Sequence, residues 1–268
     1  MARIALGIEY DGSGFAGWQS QPHARNVQDQ VEAALSRVAA EPVRVVCAGR
    51  TDTGVHATAQ VVHFDTSARR TERQWILGGN SGLPPDVALT WARPVPDDFH
   101  ARFSARRRSY RYLILNRRYR PALWRTSLTA CHRPLDEAAM AAAAACLRGE
   151  HDFTSFRALA CQARHPVRRI EHIAVRREGD LLIVDITANA FLHHMVRNIV
   201  GTLMQVGRGE RDPAWVAELL RRRDRAQAAA TAPAAGLYLV GVGYPPHFGL
   251  PEAPVMPLFS GMPPAASR

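Results

Sequence analysis

Hydrophobic periodicity switches between strand and helix in one fixed order, and the chain runs through that order twice. Arg3–Tyr10 is apolar and β-rich and ends at Asp and Gly. Asn26–Ala39 sets Val27, Val31, Ala34, Leu35 and Val38 on one helical stripe, with Asn26 placed to cap it. Val43–Cys47 reads as a strand, Gly49–Ala57 as a polar loop, and Gln60–Asp65 as another strand. Thr71-Glu72-Arg73-Gln74 has capping-box spacing and opens a second helix; Asp86–Val95 closes the half as a strand. The order is β-α-β-β-α-β, the ferredoxin-like pattern.

The second half repeats it with longer insertions. Ser109–Asn116 is a strand, Leu135–Leu147 an alanine-rich helix with Gly149 as C-cap, and Val167–Arg176 and Leu181–Ala188 flank the turn Glu178-Gly179-Asp180. Phe191–Val206 carries Leu192, Met195, Val196, Ile199, Val200 and Leu203 on one helical face. Asp212-Pro213 starts a further helix, and Leu237–Val242 is the last strand. The expected fold is α+β: two ferredoxin-like halves with mainly antiparallel sheets, joined near residues 97–108. The expected domains are 1–104, which carries the polar loop, and 105–250, followed by a tail, 251–268; the stretch from Pro245, rich in Pro, Gly and Met, is expected to wrap loosely. Whether edge strands merge the halves into one sheet is left open by the sequence.

Composition then excludes chemistry. All 34 basic residues are arginine, so no Schiff base, pyridoxal phosphate anchor or P-loop lysine exists. The same absence of lysine signals a bias acting on the whole chain, so some arginines need have no local reason. Against 24 acidic residues the net charge is +10. No apolar run reaches the roughly 18–20 residues of a membrane span, and Glu9 interrupts the start where a signal peptide stays apolar. Cys47, Cys131, Cys146 and Cys161 form no Cys-x-x-Cys, which fits a reduced, cytoplasmic protein without a zinc ribbon or disulfide framework.

Gly12-Ser13-Gly14-Phe15-Ala16-Gly17 matches a dinucleotide-binding spacing, but the next helix waits until about Asn26. A flexible loop is expected there, with Trp18 and Gln19 able to touch a ligand. His193-His194 lie on a predicted helix that points their rings about 100° apart, without a metal-spaced partner. Phe99–Leu135 contains no Asp or Glu. It holds Arg102, Arg106, Arg107, Arg108, Arg111, Arg117, Arg118, Arg120 and Arg125, interleaved with Phe99, Phe103, Tyr110, Tyr112, Tyr119 and Trp124. Such a segment neutralises phosphates and stacks on bases. Between two apolar strands, Ala48-Gly49-Arg50-Thr51-Asp52-Thr53-Gly54-Val55-His56-Ala57 offers one carboxylate as nucleophile or base, beside an arginine that keeps it ionised. A plain Asp-x-Gly turn is the competing reading. From the residues alone the chain is a basic nucleic-acid binder with a candidate active-site aspartate. A non-catalytic RNA-binding module, another RNA-modifying enzyme and a small-molecule enzyme with a carboxylate base all stay open.

At this segment the sequence resembles the TruA-type tRNA pseudouridine synthases. The resemblance extends through Val61–Phe64, Asp97–Ser104, Tyr110–Tyr112, Asp152–Arg157, Asn189–Asn198 and Gly236–Leu239, in family order. Thr53 stands where alanine is common, and Arg106-Arg107-Arg108 is unusually basic. The resemblance implies the pseudouridine synthase fold and a homodimeric isomerase needing neither cofactor nor metal. Its implied reaction converts uridine to pseudouridine at positions 38, 39 and 40 of the tRNA anticodon stem-loop. Carried onto matching positions, Asp52 is the nucleophile, and Arg197 pairs with it. Tyr110 stacks on the target uracil and helps move the C5 proton. Leu237 packs on the other face, and Arg50 fills the gap left by the flipped nucleotide. Phe99, His100, Ala101, Arg102 and Phe103 form one tRNA-contacting loop, and Ala160, Cys161, Gln162, Ala163 and Arg164 another. Arg70, Arg102 and Arg118 are the implied phosphate contacts.

Overall fold

The computed structural model describes residues 1–257. In chain order its elements are β1 (Ala2–Tyr10), α1 (Val27–Ala39), β2 (Val46–Cys47), β3 (His56–Thr66), α2 (Glu72–Gly82), β4 (Val87–Val95), β5 (Arg107–Asn116), β6 (Thr129–Cys131), α3 (Glu137–Ala145), β7 (Gly149–Asp152), β8 (Val167–Glu178), β9 (Leu181–Ala188), α4 (Met195–Gly207), α5 (Ala214–Arg222) and β10 (Leu237–Gly243). The chain forms an α+β fold of two compact units. Unit 1 comprises Met1–Arg106 with Tyr238–Pro257; unit 2 comprises Arg107–Leu237. The sequence reading placed the last strand in the second domain. Its residues from Tyr238 count with unit 1 because β10 runs parallel to β3, Tyr238 opposite His56.

In unit 1 the strand order is β4-β1-β3, with β2 also on β3. β1 is antiparallel to both neighbours. Ile4, Leu6 and Ile8 are buried beside Phe64, which opposes Ile4 and meets Trp75 of α2 edge-on at 5.1 Å. The opposite face of β1 presents Ala5 and Gly7, and space there is tight: a Cβ on Gly7 would lie 2.1 Å from the Trp91 indole nitrogen. His63, which opposes Ala5, packs against Phe99, and Phe99 in turn against Tyr244 and Phe248. The segment after Pro245 is therefore not loose as far as Pro257. Phe248 and Leu250 are buried, Val255 N–H donates to Val240 O at 2.8 Å, and the Thr58 hydroxyl donates to Val255 O. The rest of the expected tail lies outside the described residues.

The caps predicted at Asn26 and Thr71 form: Asn26 accepts from Asp29 N–H at 2.9 Å, and Thr71 with Gln74 makes the reciprocal box. The predicted strand at Val43–Cys47 shrinks to Val46–Cys47. One cause is Glu32 of α1, whose carboxylate takes the Val45 N–H at 3.0 Å and so competes with a ladder partner.

In unit 2 the order is β5-β9-β8-β7, antiparallel where β5 meets β9 and along the β9-β8-β7 run, with β6 parallel to β5. β6 and β7, three and four residues long, are too short for a periodic signal. Gly149 opens β7 at φ +102° instead of capping α3, whose C-cap is Cys146. α4 begins at Met195, not Phe191: His194 sits at φ +61°, which ends the preceding turn and starts the helix afresh. Helical phase therefore does not separate the two histidines, and their rings lie 4.0 Å apart. Among the described residues no helix is long and apolar enough to cross a membrane.

Candidate active site

The polar loop 49–57 of unit 1 is held from both sides by groups whose hydrogen-bond needs leave it little freedom. Gln60 donates its side-chain amide to Gly49 O at 2.6 Å. The Tyr10 hydroxyl shares a buried 2.8 Å hydrogen bond with the Thr51 hydroxyl. Val55 N–H donates to Asp52 O at 3.1 Å, and Gly54 turns the chain at φ +76°. The Asp52 side chain is half-buried, and Arg50 beside it is exposed. One carboxylate thus stands on a main chain fixed immediately before and after it.

The glycine-rich segment supplies the other wall, and it is not flexible. Gly12–Gly14 forms a short 3-10 turn capped by Asp11. Trp18 N–H donates to Thr51 O at 3.0 Å, and Gly54 N–H donates to Phe15 O at 3.3 Å. Phe15 and Trp18 are buried, Trp18 against Tyr10 at 5.9 Å between rings, so Trp18 is core and not a ligand contact. His56 ties the walls together while stacked on Tyr238 at 4.7 Å. Its Nδ1 lies 3.0 Å from Gly12 N and 3.1 Å from Asp11 Oδ1. One nitrogen cannot serve both at once: unprotonated it accepts from Gly12, protonated it donates to Asp11. The hydrogen bond to His56 holds the Asp11 carboxyl below the usual carboxylate range.

Gly12 shows how close the walls are. A Cβ there would lie 1.9 Å from Val55 O, whereas one on Gly14 would meet side-chain ends alone, Arg25 Nη1 at 2.9 Å and Asp86 Oδ2 at 3.6 Å. Gly12→Ala is therefore expected to lower unfolding free energy by about 1–3 kcal/mol, because backbone must move. Gly14→Ala should stay within about 0.5 kcal/mol, since the side-chain end can swing away. Urea unfolding of the two variants beside the parent checks this contrast.

The predicted loop from Phe99 to Phe103 is a locked turn in unit 1. Arg3 donates to Asp97 O at 2.5 Å and Phe99 O at 2.9 Å. Ala101 N–H donates to His63 Nδ1 at 3.1 Å, and the Tyr244 hydroxyl donates to Ala101 O at 2.7 Å. His100 Nδ1 accepts from Arg102 and Phe103 N–H, both at 3.2 Å. Burial lowers the His63 pKa to about 4, so at neutral pH its ring is uncharged and able to accept. Phe99 and Ala101 are buried, while Arg102 and Phe103 are exposed. Arg70 is exposed too, but its Nε donates to Val38 O near the end of α1 at 3.0 Å.

Unit 2 places Arg197 and Leu237, with Tyr112 beside them, on the segment that leads into β10. Arg197 Nε donates to Ala232 O at 2.8 Å, and Ala232 N–H returns a bond to Arg197 O at 3.1 Å. The Tyr112 hydroxyl donates to Pro233 O at 2.7 Å, and Leu237 N–H donates to Ala234 O at 2.8 Å. Burial pushes the Tyr112 phenol up, so it remains a donor. Leu237 is buried, and Tyr110, also buried, meets Phe191 edge-on at 5.0 Å. Residues 160–164 form an exposed to half-buried loop. Within it Cys161 O accepts from Arg157 at 3.2 Å, and the adjoining Ala158 N–H donates to His193 O at 2.9 Å. Arg118 is exposed in the connection after β5. Arg111 is not an RNA-facing side chain: it is fully buried and forms a two-pronged pair with Asp185, at 2.7 and 2.8 Å.

A family model described as tRNA pseudouridine synthase matches residues 7–104 and 143–245. The chain belongs to the tRNA pseudouridine synthase family. It is 58% identical over 257 residues to the tRNA pseudouridine synthase A of Yersinia pseudotuberculosis, covering 96% of this chain and 97% of that one. The protein of the same name from Klebsiella pneumoniae is 58% identical over 259 residues, covering 97% and 96%. A solved Cbf5-Nop10-Gar1 complex aligns over 88% of this chain and 49% of its own, with 12% identity and a TM-score of 0.41. Sequence reading of the family motifs did not single out Tyr10 and Gln60, which hold the Asp52 loop. Tyr10 closes an apolar strand, and nothing in that strand marks its hydroxyl as different from a core tyrosine's.

Proposed function

We propose that this protein converts uridine to pseudouridine in tRNA, at positions 38, 39 and 40 of the anticodon stem-loop, with Asp52 as nucleophile. The observation that carries the reading is the half-buried Asp52 carboxylate on a main chain fixed on both sides, in a member of this family. In the reaction the N1–C1′ bond breaks, the uracil turns, C5 bonds to C1′, the C5 proton leaves and N1 gains one. Atoms balance without an oxidant, reductant or second substrate. Asp52 acts at the sugar C1′, at the base or at the 2′ proton. Arg197 is the cationic partner of that carboxylate. Tyr110 and Leu237 hold the flipped uracil, and Arg50 fills its place in the stack. Flipping costs a few kcal/mol, which such contacts offset. The exposed arginines Arg102 and Arg118 neutralise phosphates, with Arg70 on the same polyanion. The 99–103 turn and the 160–164 loop contact the tRNA. The working unit is a homodimer in the cytoplasm.

Tritium release from tRNA labelled at uridine C5, with no cofactor or metal added, tests the reading. Release is expected from a transcript with uridine only at 38, 39 and 40, with pseudouridine appearing there. Binding without release, at any of the three positions, would leave an RNA-binding protein.

A further inference from the structure

The aromatics and arginines of the acid-free stretch are sorted by the fold into two groups. Phe99, Tyr110 and Tyr112 are buried, and Arg111 is paired with Asp185. Tyr119 and Trp124 instead stand 73% and 57% exposed, with Leu123 between them at 70%. All three lie in the connection from β5 to β6, within unit 2. Arg117, Arg118, Arg120 and Arg125 are exposed in the same connection, which contains no acidic residue. This connection falls between the two segments that the family model matches, 7–104 and 143–245.

Backbone geometry shapes this loop. Arg117 Nε donates to Tyr119 O at 3.1 Å, and Ser127 N–H donates to Trp124 O at 2.9 Å. Trp124 adopts φ +55°, in the left-handed region that a bulky side chain seldom enters. The chain thus keeps a large aromatic in a disfavoured conformation with more than half its surface in water. Strain of that kind persists where it serves a site.

We infer that residues 117–125 form an RNA-docking surface, on which Tyr119 and Trp124 stack against exposed nucleobases while the flanking arginines meet phosphates. Flat aromatic faces alternating with cations fit a polyanion that presents π-faces. The same charges disfavour a second copy of this chain as occupant. A twofold contact with its axis through the loop would set its four arginines against their own kind, with no acidic residue in the loop to pair them. This surface rests on the tRNA reading above and adds the aromatics Tyr119 and Trp124 to the phosphate contact already assigned to Arg118.

The test is tRNA affinity across roughly 50–200 mM salt for Tyr119→Ala, Trp124→Ala and Trp124→Phe, with Arg120→Gln and Arg125→Gln beside them. The four side chains are exposed, so unfolding curves should match the parent. Each alanine variant is expected to weaken binding about fivefold or more at every salt, giving log–log lines parallel to the parent's. Trp124→Phe should recover most of the loss. Each arginine variant should instead flatten the slope by about 0.9 per lost phosphate contact. Parent-like affinity in both alanine variants, with the parent binding and turning over tRNA, would overturn the surface and leave the tRNA reading intact. A drop in mass by light scattering in the alanine variants would assign the surface to subunit contact and also overturn it. Failure of the parent to bind tRNA would remove both readings.

Discussion

Asp52→Ala is expected to abolish tritium release from uridine-labelled tRNA, by at least about 10⁴-fold, while tRNA binding and the unfolding curve stay close to the parent's. The expectation follows from how the loop is built. Its shape depends on main-chain groups and on neighbouring side chains: Asp52 O receives Val55 N–H, Thr51 O receives Trp18 N–H, and Gly49 O receives the Gln60 amide. All of these remain when the carboxylate is removed. What disappears is the one carboxylate in the loop, the group the reading assigns as nucleophile. Asp52→Asn should be as inactive as the alanine variant, because an amide of the same shape is not a nucleophile. An asparagine variant within tenfold of the parent would show that shape and polarity suffice, and the nucleophile would have to be sought elsewhere. Single-turnover measurements with saturating enzyme keep the comparison on chemistry and off product release.

Much of this arrangement is legible in the chain because it is local. The Asn26 and Thr71 caps need partners only three residues away, and both form as the spacing predicts. The hairpin at Gly179 needs one residue at positive φ, and Gly179 adopts +59°. Long-range partners are a different matter. The Gly12–Gly17 segment reads as flexible because its glycines are visible and Val55, Thr51 and His56, which pin it, are some forty residues away. His193 and His194 read as helical because apolar spacing runs through them, whereas one residue at φ +61° restarts the helix at Met195. Arg111 reads as one of ten similar arginines. Its partner Asp185 lies 74 residues later, outside the acid-free stretch that makes the segment look uniformly RNA-facing. Periodicity reports which face is apolar; it does not report which charge meets which across a sheet.

That buried pair carries the second large effect, one of stability. Arg111 and Asp185 are directly opposite on β5 and β9, and neither reaches much solvent: the two side chains are 0% and 8% exposed. Arg176 approaches the same carboxylate at 3.8 Å, so Asp185 balances two guanidinium groups. Burial and the nearby Arg111 charge lower the Arg176 pKa, and Glu178 is its nearer carboxylate partner. Asp185→Leu takes the two-pronged carboxylate away from a charged, fully buried Arg111, and is expected to cost about 3–5 kcal/mol. Arg111→Met leaves Asp185 with Arg176 still within reach and should cost distinctly less. The double variant removes both charges and fills the space with apolar atoms, and it should recover most of the loss, since desolvation offsets most of what a buried pair contributes. Urea unfolding of the three proteins measures the pattern. A double variant less stable than Asp185→Leu alone would mean that the pair holds β5 against β9 through its hydrogen bonds, and that the cost of burying its charge is minor.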